Sequence, residues 1–169
     1  MNTPPPERGS TDELAALQAL IDRSARAASP ALADSVGYPD RQMRAGELLE
    51  FWRGTGLVAM ATVGPAGQPH IAPVHAELRG TTLALVVYEN SVRRRDLAGN
   101  PRVAFTTWRD GAAVILYGRA REIPDSAREA RPGRSGSPRQ VVSIEVTLTR
   151  VHAMRPPPPR PADAAPPQA

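Results

Sequence analysis

The chain has 169 residues, which is enough for one compact domain with short appendages. It contains no cysteine, so disulfides, thiolate metal sites and cysteine nucleophiles are excluded. Its 21 basic residues, all arginine, stand against 17 acidic residues, and the net charge is only +4. This small excess suits an anionic small molecule. Because aromatic residues are scarce, we expect no nucleic-acid partner.

Neither end of the chain has the pattern of a folded or membrane-directed segment. Residues 1–10 form a polar, proline-containing arm without the apolar run of a secretory signal, and we expect disorder there. Residues 156–169 hold seven prolines and predict a disordered tail, with a polyproline ligand as the alternative. Since no apolar run approaches the ~20 residues of a membrane span, we expect a soluble cytoplasmic protein without a membrane partner.

Helical periodicity comes first along the chain. Thr11 or Asp12 is placed to cap a helix that runs to about Ala28. Residues 11–40 are therefore predicted to form an N-terminal helix and a linker. A second short helix, about Met43 to Arg53, then opens the main domain, which we expect to cover residues 41–155.

The pattern becomes strand-like from Leu57 onward, with short aliphatic runs separated by glycine-containing turns. It predicts six antiparallel strands, at residues 57–63, 70–78, 83–87, 103–108, 112–123 and 141–152. One helix, residues 92–98, interrupts them, and residues 124–138 form a polar loop that is either a mobile lid over an anionic ligand or a disordered excursion. Because closing such a sheet removes its exposed edges, the pattern predicts a mainly β (α+β) barrel.

The segment that begins the interrupting helix carries the strongest functional signal. The first amides of a helix are unpaired and attract anions, Ser91 adds a hydroxyl, and Arg93 adds a planar set of donors. Together they predict a phosphate site. The alternative is that Arg93, Arg94 and Arg95 form a solvated helix face.

Short motifs around this segment occur in an order that is typical of a known family. They are Gly67-Gln68-Pro69, Ser91-Val92-Arg93, Leu97, Asn100-Pro101-Arg102-Val103-Ala104 and Gly118. Over about residues 43–155 the chain resembles the pyridoxamine 5'-phosphate oxidase-like, FMN-binding split-barrel family. The resemblance implies a six-stranded antiparallel split barrel, and a homodimer with FMN held between its subunits.

The resemblance also implies roles for individual residues. Ser91 and Arg93 match the ligands of the FMN phosphate, with Arg94 as a helper. The remaining matches are Ala72, Pro73, Val74 and His75 along the flavin ring, Val86 and Val87 near the ribityl chain, and Trp108 facing the partner's flavin. The vitamin oxidases proper carry an arginine where this chain has Ala72 and a glutamine near Ala113. These departures indicate a smaller relative rather than the vitamin oxidase.

Three functions follow from this resemblance. The first is an FMN-dependent oxidoreductase for an unidentified small molecule, and the second is a reductase that uses a deazaflavin. The third is a protein that binds flavin or haem without turnover.

The histidines leave one catalytic candidate. His75 is a candidate proton donor, or a solvent-facing strand residue. Because His70 and His152 lack the spacing of metal ligands, we expect no metal site.

Overall fold

The computed structural model describes residues 10–124, 130–132 and 138–158. Its helices are α1 (Thr11–Arg26), α2 (Pro30–Val36), α3 (Ala45–Arg53) and α4 (Val92–Gly99). Its strands are β1 (Val58–Val63), β2 (Pro69–Val74), β3 (Ala76–Arg79), β4 (Thr82–Tyr88), β5 (Arg102–Arg109), β6 (Ala112–Glu122), β7 (Ala130–Pro132) and β8 (Pro138–Met154). Most of the predicted arm and tail, at 1–9 and 159–169, lies outside the described residues.

The strands form one antiparallel half-barrel, which confirms the predicted fold class. Seven of them lie in the order β2-β1-β5-β6-β8-β4-β3, and the short β7 pairs with β8. β8 is seventeen residues long and pairs with β6 through its later part and with β4 through its earlier part. Because both halves of the sheet share this strand, the sheet bends around one core.

The predicted strand at residues 70–78 is two strands, which corrects the predicted count of six. Val74 ends the pairing of β2 with β1, and Ala76 begins the pairing of β3 with β4. His75 is the corner between them. Since β2 and β3 lie at opposite ends of the strand order, this corner joins the two borders of the half-barrel. The other addition is β7, which lies within the loop predicted at 124–138.

The helices before β1 begin at other residues than those predicted. Ser10, not Thr11 or Asp12, caps α1, because its hydroxyl accepts from Glu13 N while the Glu13 carboxylate accepts from Ser10 N. The predicted linker contains α2, whose first residue is Pro30. A proline that ends one helix is also well suited to start the next, since the first amide of a helix has no internal partner.

The N-terminal helix covers a border of the sheet that no strand covers. The pairing of β4 with β8 stops at Thr147, and the rest of β8 continues beside β6 alone among the described strands. There α1 packs with Leu17, Leu20 and Ile21 in the core. Its buried Ser24 hydroxyl accepts from Val151 N at 3.0 Å. Ser24 of α1 thus supplies the hydrogen-bond acceptor that a neighbouring strand would otherwise provide for Val151 N.

None of the helices in the described part of the chain combines the length and the apolar character that a bilayer span requires.

A substitution at Gly118 tests the close packing of β6 against β8. A Cβ atom there would lie 2.5 Å from Val146 Cγ1 and 2.7 Å from the Thr147 carbonyl oxygen. We expect Gly118→Ala to lower the free energy of unfolding by about 1–3 kcal/mol, because the backbone has to move. Gly46→Ala is the matched control, since nothing lies within 4 Å of its new Cβ. It should raise the unfolding free energy by about 0.4–1 kcal/mol. Urea unfolding of both variants measures the difference.

Candidate functional site

The helix that interrupts the strands begins at the predicted residue. The Ser91 hydroxyl accepts from Arg94 N at 3.2 Å and caps α4, and Ser91 N donates to the Tyr88 carbonyl at 2.9 Å. The helix ends where Asn100-Pro101 predicted, because proline disfavours helical backbone in the residue before it. α4 therefore presents its first amides at the end of β4.

The three arginines of α4 have different surroundings. Arg94 donates through Nε and Nη2 to the Glu122 carboxylate, at 2.8 and 3.0 Å, and through Nη1 to the Glu89 carbonyl at 3.2 Å. The hydrogen bonds with Glu122 raise the pKa of Arg94. Arg95 is exposed. The guanidinium of Arg94 is thus engaged within the protein, as a tie between α4, β6 and the turn before the helix.

Arg93 differs from both neighbours because a donor on its side chain is buried without a partner. The residue is half-buried, and within the described part of the chain its Nε has no hydrogen-bond acceptor. A buried donor of this kind is costly to leave unsatisfied, and a charged donor more so. An anion at the start of α4 would satisfy it, so the residues present fit a phosphate group.

A buried carboxylate lies one helical turn after Arg93. Asp96 Oδ2 accepts from the Thr62 hydroxyl at 2.7 Å and from His70 Nδ1 at 2.8 Å. Burial alone would raise the pKa of Asp96. The hydrogen bonds from Thr62 and His70, with the electrostatic attraction of His70 and Arg95, outweigh burial and hold that pKa below its ordinary value. An ionised carboxylate only accepts, so His70 carries its proton on Nδ1.

Sequence analysis did not identify this cluster. A polar residue in an outwardly polar helix gives no sign of burial, and Thr62 reads as an ordinary strand residue. A signal was nevertheless present: Asp96 directly precedes Leu97, which is also buried, so the two side chains share the inner side of α4.

The residues predicted to lie along a flavin are on β2 and β4. Ala72 is half-buried, Pro73 is exposed and Val74 is in the core. On β4, Val86 is 39% exposed whereas Val87 is buried, so only the backbone of Val87 is available to a ligand on the outside. α4 packs against β4 and against β1, the strand that pairs with β2.

His75 lies at the corner after β2 and is exposed. Its Nδ1 is 2.8 Å from the Gly56 carbonyl, to which it donates, and this leaves Nε2 unengaged by that contact. The neighbouring Ala76 carbonyl accepts from Trp52 Nε1 at 2.9 Å, which ties the corner to α3. At about 3.3 Å per residue, His75 is roughly 16 Å along the chain from His70.

Trp108 is the next-to-last residue of β5, lies opposite Ala113 and is 71% exposed. On β2, Ile71 is 73% exposed and is paired with Ala61, which in turn is paired with Ala104 on β5. These residues share the outer face of the sheet, where small alanine side chains lie next to Ile71. Large apolar side chains are rarely left this open in a monomer.

The third histidine, His152, is buried within the fold. Its Nδ1 is 3.0 Å from the Tyr38 hydroxyl. Burial raises the pKa of Tyr38 to about 12. Burial, together with the nearby charge of Arg150, lowers the pKa of His152. Among the residues that the structure describes, no three His, Asp or Glu side chains come together as a metal site.

The sequence is related to those of known proteins. The family model for pyridoxamine 5'-phosphate oxidase matches residues 45–155. The chain is 33% identical, over 124 residues, to a 5a,11a-dehydrotetracycline/5a,11a-dehydrooxytetracycline reductase from Streptomyces rimosus. That alignment covers 62% of this chain and 87% of the reductase.

Solved structures share the fold at lower identity. A conserved hypothetical protein from Mycobacterium tuberculosis matches with a TM-score of 0.57 and 19% identity, over 69% of this chain and 88% of that one. An FAD-binding protein from Mesorhizobium loti matches with a TM-score of 0.51 and 18% identity, over 67% of this chain and 93% of that one. Because the family model spans most of the sequence, the chain belongs to the pyridoxamine 5'-phosphate oxidase family, whose split-barrel fold binds flavins.

Proposed function

We propose that the protein is an FMN-dependent oxidoreductase that reduces a small organic molecule and binds the FMN phosphate at the start of α4. The observation that carries this proposal is the buried, unpartnered Nε of Arg93, in the first turn of the helix that Ser91 caps. Relatives add support. The family binds flavins, and the matched protein of Streptomyces rimosus is named as a reductase.

The positive charges near the start of α4 that are not already paired favour the binding of one dianionic group at Arg93. Arg94 is already paired with Glu122, so Arg93 and the first amides of the helix remain for a ligand. The partial positive charge of the helix N-terminus adds to that of the guanidinium. A phosphate would accept from Arg93 Nε, from the Ser91 hydroxyl and from the amides, which are the donors it binds best.

The flavin ring of such a cofactor would extend from α4 along β2, beside the backbone of Ala72 and Pro73. The cofactor supplies the hydride, and the protein supplies orientation, exclusion of water and proton transfer. His75 is suited to the last task, because Nδ1 donates to the Gly56 carbonyl and Nε2 can hold a proton for the substrate.

The reductase relative points to the substrate class. Its name specifies dehydrotetracyclines, which are polycyclic molecules with a carbon–carbon double bond to be reduced. We therefore propose an unsaturated, planar organic substrate.

The cofactor is identified by mass spectrometry of the small molecule that co-purifies with the full chain. FMN is the expected result, with a yellow protein that NADH or NADPH, or dithionite, bleaches. If the molecule is a phosphorylated deazaflavin, the proposed phosphate site stands but FMN is the wrong cofactor. Haem, or no binding of added FMN, would overturn the proposal.

Removal of the Arg93 side chain tests the phosphate site. Arg93→Ala should weaken FMN binding about ten- to a hundredfold, because a charge-assisted hydrogen bond contributes about 1.5–3 kcal/mol. Riboflavin, which has no phosphate, should bind as it does to the parent. Arg95→Ala is the matched control, since it removes an exposed arginine from the same helix and should change neither affinity much. Flavin fluorescence titrations measure both ligands, and equal FMN affinity in parent and Arg93→Ala would refute the assignment.

We also propose that two copies pair through the outer face of β2, β1 and β5. Ile71 and Trp108 both lie on that face, and each exposes more than two thirds of its surface to solvent. Covering them with a second copy would remove their apolar area from water. Trp108 would then lie near the cofactor of the partner, as the family resemblance implies.

A charge on this face should prevent pairing. We expect Trp108→Glu or Ile71→Glu to be a monomer at concentrations where the parent is a dimer, because a buried carboxylate would lack a partner. Ala19→Glu on the exposed side of α1 is the control and should remain dimeric. Light scattering after size-exclusion chromatography gives the masses. A monomeric parent would contradict the proposal.

A further inference from the structure

α4 has few apolar contacts that could fix its position. Of its eight residues, Asp96 and Leu97 are buried, and the others are half-buried or exposed. One buried leucine allows the helix to rotate or slide, because hydrophobic contact is not directional. Polar contacts therefore have to set the orientation of the helix, and the Asp96 carboxylate makes two of them.

Those two contacts join the helix to two strands at one point. Thr62 of β1 and His70 of β2 are directly paired across the ladder, and both donate to Asp96 Oδ2. The cluster is tightly packed. A Cβ atom on Gly64 would lie 3.2 Å from His70 Cε1 and 3.4 Å from Asp96 Oδ1. A buried charged acceptor that is held by two donors permits little movement.

The geometry relates this anchor to the phosphate site. Asp96 follows Arg93 by three residues, which is close to one helical turn, so the two lie on neighbouring parts of the same side. The Glu122 carboxylate and the Glu89 carbonyl hold the adjacent Arg94. α4 is therefore held at Arg94 and at Asp96, and the orientation of Arg93 depends on both.

We propose that Asp96 is a positioning residue for the cofactor phosphate, which holds α4 against Thr62 and His70 so that Arg93 and the first helix amides point to one place. This inference rests on the proposed function, because it needs a phosphate at the start of α4. Asp96 does not touch the phosphate. It acts through the helix.

The test compares FMN with riboflavin on the full chain. Asp96→Ala should weaken FMN binding about tenfold, equivalent to about 1.4 kcal/mol, and leave riboflavin binding within about twofold. Asp96→Asn should keep most of the FMN preference, because its amide can still bond to Thr62 and His70. Ser24→Ala is the matched control. It removes a buried hydrogen-bonding group remote from α4, so it should lower stability without changing the ratio of the two affinities.

The outcomes separate this inference from the phosphate site itself. If the parent does not prefer FMN over riboflavin, both proposals fail. If Arg93→Ala loses the preference and Asp96→Ala keeps the ratio of the parent, only the positioning role fails. Should Asp96→Ala not fold, Thr62→Val removes one donor and leaves the carboxylate. It should give a smaller loss of the same preference, and an unchanged ratio would overturn the inference.

Hydrogen exchange gives a readout that does not depend on the ligand. In Asp96→Ala the amides of α4 should exchange faster than in the parent, while those of β5 and β6 change little. Ser24→Ala should leave α4 exchange as it is in the parent. Uniformly faster exchange over the whole domain in Asp96→Ala would show a general loss of stability instead, and would contradict the positioning role.

Discussion

A charged carboxylate inside the half-barrel determines where the candidate site lies. Asp96 is almost fully buried, and without Thr62 and His70 its desolvation would be too costly for the fold to retain. The two donors come from neighbouring strands, so the carboxylate requires β1, β2 and α4 to meet in one arrangement. The start of α4, with Arg93 and Ser91, is placed as a consequence of that requirement.

The fold was largely predictable, because strands and turns alternate strongly after Leu57. Ser91, Asn100 and Pro101 marked the bounds of the inserted helix, and the structure confirms them. The corner at His75 was not predictable. The run from His70 to Leu78 has no glycine and no change of periodicity, and the break arises only because its two halves pair with opposite borders of the sheet. Local sequence does not specify with which strand each half of the run pairs.

The site was predictable in part, for a similar reason. The helix start, Ser91 and Arg93 follow from general rules on anion binding, and the family resemblance supplied the rest. Three adjacent arginines, however, look alike in sequence. Their difference depends on Glu122, which is distant along the chain, and on the burial of a single nitrogen of Arg93. Long-range ion pairs and individual buried atoms are properties of the assembled structure.

The residues before Ala45 lie outside the part of the chain that the family model matches, yet α1 forms part of the core. It occupies a border of β8 where the backbone would otherwise be open to strands of other molecules, which is how many β proteins begin to aggregate. Within this family, then, an N-terminal extension can serve as a guard against intermolecular sheet growth. Loss of α1 would expose this border of β8 together with the apolar core surface that Leu17, Leu20 and Ile21 now cover.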